Sequence, residues 1–409
     1  MNKIIRMIIA SSSIVLFSSC GLTNSSGFDY KEIVKDCKSK NVILMICDGC
    51  GFNQFASADF FTFGEKNQQP YYSFPVKHAM STHSLSANEY SPKLAKNNPI
   101  WVRSKFTDSG ASATALATGV KTNNERIGMD ASRNPVKNVT EVAYETGRSA
   151  GVVTTMPISH ATPAGFVAHI VSRTNYTDIA REMITNTHLD VILGTGHPFY
   201  NNNGEALNNL EDILDSNGQV ITAGANYNYL GGIDLFNELK TGTAANLDGP
   251  WTYIETLNEF ERYASLDRDS LPDRLIGIAP IHYTLQSSRG NGPMSTDTIV
   301  NEHPKNTTVP DLKTLSKIAL QLLSKNKNGF FLMIEGGAID AAAHENSIAR
   351  VIEEMSDFNI AVEEVTTWIE ANGGFEENLL VITADHETGF LIGPNGYTET
   401  TIDYELTSN

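Results

Sequence analysis

Short apolar runs alternate with helical segments along most of the chain. The clearest runs are nearly continuous rather than alternating, as expected for strands that are covered on both faces of a sheet. They span residues 42–47, 150–154, 190–193, 330–334 and 379–383. Strands separated by helices predict an α/β fold, with a large, mostly parallel central β-sheet flanked by helices on both faces.

Helical periodicity is strongest over residues 348–371, where apolar side chains recur every three or four positions before Gly373 and Gly374. These apolar positions are Val351, Met355, Phe358, Val362, Val365 and Ile369. The spacing predicts a helix with one buried face, and a second helix is predicted over 311–324. Residues 200–300 are rich in Asn, Gly and Tyr and weakly periodic, which predicts insertions or a cap on the sheet.

The N-terminus is typical of an export signal. Lys3 and Arg6 precede an apolar run over 7–17, which is too short to span a membrane comfortably, and small residues lead to Cys20. A Cys at this place indicates a bacterial lipoprotein, and an ordinary signal peptide is the alternative. We expect a signal over 1–19, a polar tether over 20–39 and one catalytic domain over 40–409. The protein would then be periplasmic or in the cell envelope, anchored only by a lipid on Cys20.

The composition excludes one class of partner. The net charge is -17, whereas nucleic-acid binding needs a surplus of Lys and Arg. A phosphate substrate is not excluded, because bound cations can invert the local field. If Cys20 is lipidated, an odd number of cysteines remains, so no complete disulfide framework is expected. We interpret Cys47 and Cys50 as small apolar residues at a strand end.

Acidic side chains follow three of the predicted strands. Asp48 follows the first, Glu335 the fourth, and Asp385 with His386 the fifth. The carboxyl ends of parallel strands lie at one edge of a sheet, where ligands bind. One such Asp would be ordinary turn chemistry, but three converging carboxylates without Lys or Arg beside them require cations. The added His indicates Zn²⁺ together with Mg²⁺.

Asp340 and His344 follow Glu335 in an alanine-rich segment that favours a helix. Their i,i+4 spacing places both on one helix face, from which both can reach one metal ion. The alternative is an Asp that balances the helix dipole beside an incidental His.

A third signal is the small-residue segment TDSGASATA at residues 107–115. It predicts a helix start at which Ser109 lies among exposed N–H groups that favour an anion. The alternative is that Asp108 or Ser109 only caps the helix.

Five segments together resemble the alkaline phosphatase family, in family order and across residues 41–389. The matching segments read NVILMICDGCG, TDSGASATALATGVKT, HATPAGFVAHIVSR, EGGAIDAAAH and TADHETG. The resemblance implies an enzyme that hydrolyses small-molecule phosphate monoesters, with two Zn²⁺ and one Mg²⁺. It also implies a homodimer.

The resemblance assigns roles to the residues that match. Ser109 would attack phosphorus and form a phosphoserine. One zinc ion would take Asp48, Asp385 and His386 and lower the pKa of the Ser109 hydroxyl. Arg173 would hold two non-bridging oxygens with its planar fork.

The other zinc ion would take Asp340 and His344, stabilise the leaving oxygen and then supply the attacking hydroxide. Asp48, Thr162 and Glu335 would bind Mg²⁺. Paired metal ions of this kind lie about 3.5–4 Å apart.

Thr162 and Arg173 can share a site only if the chain bends between them. One straight helix would separate them by about 16 Å. We therefore predict that the helix ends near His169 and that the chain turns back. Thr162 followed by Pro163 also fits a simple helix N-cap, which is the alternative to metal binding.

Two positions depart from the family pattern. His160 stands where some members have an Asp near the magnesium, and a His suits zinc better, so the third site could hold either metal. The family's last zinc ligand is a His well beyond the ADH segment, but none of the 23 residues after His386 is a His. We expect a C-terminal truncation. Substitution by an unassigned His is the alternative, and the candidates are His83, His197 and His303.

Two other functions stay open at this point. One is a phosphodiesterase or sulfatase on the same scaffold, although Ser109 with Arg173 favours monoesters. The other is a non-catalytic surface lipoprotein, for which a missing zinc ligand would be typical.

Overall fold

A computed structural model describes residues 39–391, except 90, 103, 209–211, 215–219, 223–224, 291–292, 295–297 and 390. The predicted signal segment, Cys20 and the predicted tether up to residue 38 lie outside the described residues.

Eleven strands occur in this part of the chain. They are β1 (Asn41–Ile46), β2 (Ser149–Pro157), β3 (Val191–Thr195), β4 (Asp212–Leu214), β5 (Val220–Thr222), β6 (Ala245–Asn246), β7 (Gly249–Pro250), β8 (Thr252–Ile254), β9 (Leu275–Ile278), β10 (Phe330–Glu335) and β11 (Asn378–Thr383). Seven form one sheet in the order β11-β1-β10-β2-β3-β9-β8. All six ladders of this sheet are parallel. The predicted α/β fold is thereby confirmed.

Helices connect the strands. They are α1 (Phe52–Phe63), α2 (Pro92–Asn97), α3 (Pro99–Val102), α4 (Ser109–Thr118), α5 (Val139–Glu145), α6 (Ala161–Gly165), α7 (Tyr176–Thr185), α8 (Ile233–Thr241), α9 (Leu257–Ser265), α10 (Leu312–Leu323), α11 (Ala338–His344), α12 (Ile348–Ala371) and α13 (Gly374–Glu377). Short 3₁₀ turns lie at Pro70–Ser73, Asn228–Leu230 and Arg268–Ser270. None of the helices in the described part is long and apolar enough to cross a bilayer.

The core lies on both faces of the sheet. Along β1, Ile43 and Met45 pack on one face, and Leu44 and Ile46 on the other. Helices α10 and α12 cover the first face, while α4, α6, α7 and α8 cover the second. The six apolar residues predicted on α12 are all buried, so the predicted helix and its core face are confirmed.

Residues 200–300 contribute more to the sheet than their sequence pattern indicated. Strands β8 and β9 both belong to this segment and form one edge of the central sheet. They are three and four residues long, and Gly277 interrupts the apolar run of β9. Such short runs carry too little periodicity to be predicted as strands.

Cys47 and Cys50 are joined by a disulfide, so their interpretation as simple apolar residues was wrong. The turn between them contains Gly49 at φ 71°, a left-handed conformation that glycine adopts easily. This turn brings the two Cα atoms to 5.6 Å, within the range that a disulfide requires. The fold of the turn therefore decides the pairing, which the count of cysteines did not reveal.

Candidate functional site

The three strands that precede the predicted metal ligands are neighbours. Strand β1 lies between β10 and β11, and Ile46 is level with both Glu335 and Thr383. The turns after these strands therefore start at one edge of the sheet. Metal-binding atoms of Asp48, Asp385 and His386 lie within 4.8 Å of one another there, and all three residues are buried.

Hydrogen bonds and one ion pair orient the side chains of Asp385 and His386. Asp385 Oδ1 accepts from the backbone N–H groups of Gly49 (3.1 Å) and His386 (2.8 Å). Asp385 Oδ2 lies 3.2 Å from both Ser112 Oγ and His386 Nε2. On the far side of the ring, Thr388 Oγ1 lies 3.2 Å from His386 Nδ1. The orientation of the carboxylate and of the imidazole is thus set before any ligand binds.

Gly49 allows the second pair of predicted metal ligands, Asp340 and His344, to approach this cluster. A Cβ at Gly49 would lie 2.6 Å from Asp340 Oδ1, so only glycine allows the turn after β1 to approach α11 this closely. On α11, Asp340 Oδ2 lies 3.2 Å from His344 Nε2, as the i,i+4 spacing predicted. The side chain of Asp340 is 11% exposed and that of His344 is 66% exposed.

The carboxylates of the site repel one another. Burial, followed by the charges of Asp385, Asp340 and Glu335, raises the pKa of Asp48 well above its usual range. Burial raises the pKa of Glu335 to about 7, although its hydrogen bonds oppose this shift. The shifts measure how unfavourable several buried negative charges are in one place.

Three buried carboxylate oxygens of the site have no hydrogen-bond partner among the described residues. They are Asp48 Oδ1, Glu335 Oε1 and Asp340 Oδ1. Buried carboxylates are normally hydrogen-bonded, paired with cations or bound to metal ions. The donor set therefore fits divalent cations.

Ser109 is the first residue of α4 and is 2% exposed. Its Oγ lies 3.1 Å from His386 Nε2, at the edge of the metal-binding cluster. Asp108 is the N-cap, since its Oδ1 accepts from Ala111 N–H at 3.0 Å. Ser109 is therefore not needed as a cap, and its hydroxyl faces the cluster.

Small residues allow α4 to lie against α6. A Cβ at Gly165 would lie 2.7 Å from the Ala113 Cβ, so larger side chains would separate the two helices. This contact holds α4, which begins at Ser109, against the helix that carries Thr162.

Arg173 reaches the site because α6 is short. The helix ends at Gly165, earlier than the predicted end near His169, and no helix continues through Arg173, so the predicted break between Thr162 and Arg173 is confirmed. Arg173 Nη1 lies 3.1 Å from Asp108 Oδ2. The Arg173 side chain is 19% exposed, and its contact with Asp108 holds the guanidinium at the start of α4.

Thr162 is the second residue of α6, and His160 occupies the N-cap position. The interpretation of Thr162 as an N-cap is therefore wrong. Instead, Thr162 Oγ1 donates to Asp48 Oδ2 at 3.0 Å. Thr154 Oγ1 similarly donates to Glu335 Oε2 at 2.5 Å.

His160 lies in the same region as an uncharged ring. Burial, followed by the nearby charge of Arg173, lowers the pKa of His160 to about 3. Its Nδ1 is buried and has no hydrogen-bond partner within the described ranges. The rings of Tyr176 and Tyr283 lie 6.4 Å from it, one stacked and one edge-on. A neutral imidazole with a free nitrogen can bind a metal ion.

The alternative third ligands for Asp340 and His344 are engaged elsewhere. His197 Nε2 lies 3.1 Å from Glu255, and His83 lies between Ser81 and Lys121. His303 lies beside Gly290 in another loop. In the described part of the chain, only Asp48, Asp385 and His386 form a three-residue metal-binding group.

Sequence reasoning missed several residues that support the site. Ser112, Thr154, Thr388 and Asp108 each contact a predicted site residue. Ser112 and Asp108 flank Ser109 within one small-residue segment, so their spacing could have indicated them. Thr154 lies inside a buried strand and carries no comparable signal.

The fold and the site define the class of this protein. It is a metal-binding α/β protein with ligands at the strand ends and a serine at the start of a helix. Residues 39–405 match the family model described as alkaline phosphatase. The chain belongs to the alkaline phosphatase family.

Two relatives show the extent of the similarity. Alkaline phosphatase 4 of Bacillus subtilis is 33% identical over 297 residues, which cover 71% of this chain and 51% of that protein. Alkaline phosphatase of Escherichia coli is 27% identical, covering 89% and 74%. This chain thus spans about half the length of the Bacillus protein.

Solved structures agree with the family. The cold-active alkaline phosphatase of a psychrophilic Shewanella superposes with a TM-score of 0.59 at 28% identity, over 85% of this chain and 68% of that one. The enzyme of the Antarctic bacterium TAB5 gives 0.58 at 27% identity, over 89% and 85%.

Proposed function

We propose that the protein hydrolyses phosphate monoesters through a phosphoserine on Ser109. The observation that carries the proposal is the position of Ser109 Oγ, 3.1 Å from His386 Nε2 at the start of α4. A buried hydroxyl is thereby placed between a metal-binding group and the N–H groups of a helix end. This combination suits a nucleophile that attacks an anion.

Hydrolysis would proceed in two displacements. Ser109 Oγ forms a bond to phosphorus while the bond to the ester oxygen breaks, and that oxygen leaves as the alcohol with the proton that Ser109 gives up. Water then attacks the same phosphorus, the bond to Ser109 breaks, a proton of the water returns to Ser109 Oγ, and inorganic phosphate is released. Arg173 would donate to two non-bridging oxygens in both steps, and Asp108, which accepts from Arg173 Nη1, would hold the guanidinium in position.

Asp48, Asp385 and His386 would hold one Zn²⁺, and Asp340 with His344 would hold the other. Thr162 and Glu335, together with Asp48, would hold a third cation beside His160. When bound, these cations lower the pKa of the Ser109 hydroxyl and offset the charge of the phosphoryl group. One structural neighbour supports the third site: a variant of the TAB5 enzyme with His changed to Asp has Mg bound in its M3 site.

The test is phosphate release from an aryl phosphate by protein supplied with Zn²⁺ and Mg²⁺. We expect turnover that Ser109→Ala lowers by at least about 10³-fold. The exposed Ser132→Ala is the matched control and should leave the rate unchanged. Activity on diesters or sulfates alone would favour a different hydrolase, and no activity with any ester would favour a binding protein.

We also propose export and lipidation at Cys20, which the order of charged, apolar and small residues before it supports. Cells fed a labelled fatty acid should label the protein, and Cys20→Ser should abolish the label. An unlabelled wild-type protein that is still exported would indicate an ordinary signal peptide.

A further inference from the structure

We propose that His169 is a positioning residue for Arg173, anchoring the segment that carries Arg173 to two helices outside the site. The inference rests on the proposed function, since it concerns how the phosphate-binding guanidinium is held.

His169 lies among acceptor oxygens from three parts of the chain. Its Nδ1 is 3.3 Å from Glu182 Oε1 on α7, and the same oxygen accepts from its backbone N–H at 2.9 Å. Its Nε2 is 3.1 Å from the Val136 carbonyl and 3.6 Å from Glu141 Oε2 on α5. A neutral imidazole has one N–H, so only the imidazolium form donates to both sides.

The electrostatic surroundings agree with this geometry. Burial alone would lower the pKa of His169, but the hydrogen bond to Glu182 and the charge of Glu141 outweigh it, and the net shift is upward. These carboxylates, one from α5 and one from α7, are the charged groups that face the ring. The side chain is 16% exposed, so water screens the pairs only partly.

The segment after His169 is hydrogen-bonded to residues 125–127, which in turn contact Asp108, the N-cap of α4. Ile170 and Ile127 exchange two backbone hydrogen bonds of 2.9 and 3.0 Å. Arg173 N–H donates to the Glu125 carbonyl at 2.8 Å, and Glu125 N–H donates to Asp108 Oδ2 at 3.0 Å. The backbone of Arg173 is thus connected to the residue that holds its guanidinium.

Residues 125–128 pack closely against the segment that carries Arg173. A Cβ at Gly128 would lie 2.1 Å from the Ala168 carbonyl oxygen and 3.0 Å from His169 Cδ2. Residues 125–128 hold one edge of the Arg173 segment, and His169 holds the other edge through α5 and α7. Loss of the His169 contacts would therefore let the segment shift and would displace the guanidinium without touching the metal ligands.

A double-mutant cycle tests this role. We expect His169→Gln to raise the KM for an aryl phosphate and the Ki of inorganic phosphate by roughly tenfold, with a smaller change in kcat. In the Arg173→Ala background the same change should have almost no effect, because there is no guanidinium left to misplace. An equal fold-change in both backgrounds would mean a general structural role and would overturn the proposal.

A second variant and a second readout keep the test decisive. Glu182→Gln preserves the shape of the pair and should reproduce the rise in Ki if His169→Gln fails to fold. Binding of inorganic phosphate, measured by calorimetry on metal-loaded Ser109→Ala protein, needs no turnover. If neither His169→Gln nor Glu182→Gln changes the phosphate affinity of the Ser109→Ala protein, the proposed role of His169 is overturned. Absence of wild-type turnover would instead count against the proposed function.

Discussion

The two halves of the metal-binding region are built differently. The enclosed half, Asp48 with Asp385 and His386, lies on turns after neighbouring strands. The open half, Asp340 and His344, lies on one short helix. The His386 side chain is 8% exposed, whereas that of His344 is 66% exposed. Hydrogen bonds to the Asp385 carboxylate and the His386 ring orient the ligands of the enclosed half. In the open half, His344 contacts Asp340 but is largely exposed to solvent.

The largest expected difference is in the turnover of two variants that each lack one histidine, one from each half. We expect His386→Ala to lower aryl phosphate turnover by at least about 100-fold, and His344→Ala by roughly tenfold or less. The buried ligand is held in place and cannot be replaced easily by water, whereas the exposed ligand can. Initial rates in saturating Zn²⁺ and bound zinc per chain are the measurements.

Ser109 also contacts His386, so the rate of His386→Ala reflects more than the loss of a zinc ligand. The amount of bound zinc therefore distinguishes His386→Ala from His344→Ala better than the rate does. His386→Ala should lose zinc that His344→Ala retains. Equal zinc loss in both variants would contradict the distinction between the halves.

Arg173 lies beside the start of α4, so its substitution should change phosphate binding and leave the metal content of both halves intact. We expect Arg173→Lys to raise KM by about 30-fold, because an ammonium group cannot donate to two oxygens in a fixed plane. Zinc content should stay at the wild-type level. A fall in bound zinc would show that Arg173 supports the metal sites themselves.

Removal of metal should proceed in two phases. With excess chelator, zinc held by His344 should leave about ten times faster than zinc held by His386, because solvent reaches the former directly. A zinc indicator dye can follow the release. His344→Ala should abolish the fast phase and leave the slow one, and a single phase in the wild type would contradict the comparison.

The sequence predicted which residues come together in each half because the signals are local. An acidic residue directly after an apolar strand needs only the parallel sheet to bring it to the correct edge, and the spacing of Asp340 and His344 needs only a helix. The Cys47–Cys50 disulfide depends on the conformation of one turn. The position of Thr162 within α6 depends on the residue at which that helix starts. The edge strands β8 and β9 are too short to carry a pattern, and the surroundings of His169 come from distant segments. Long-range contacts of this kind are decided by packing, not by periodicity.

The smallest expected effect concerns His160, whose ring lies near Arg173 and the open half. Its low pKa, caused first by burial and then by Arg173, leaves a neutral imidazole across the range in which phosphatase assays are run. A carboxylate there would add an oxygen ligand and a negative charge, both of which Mg²⁺ prefers. We expect His160→Asp to lower the Mg²⁺ concentration for half-maximal activation by roughly threefold, with Zn²⁺ held constant. His160→Asn, which supplies an oxygen without the charge, separates the two contributions. If neither variant changes the Mg²⁺ dependence, His160 does not contact the third cation, and its free Nδ1 then needs a different explanation.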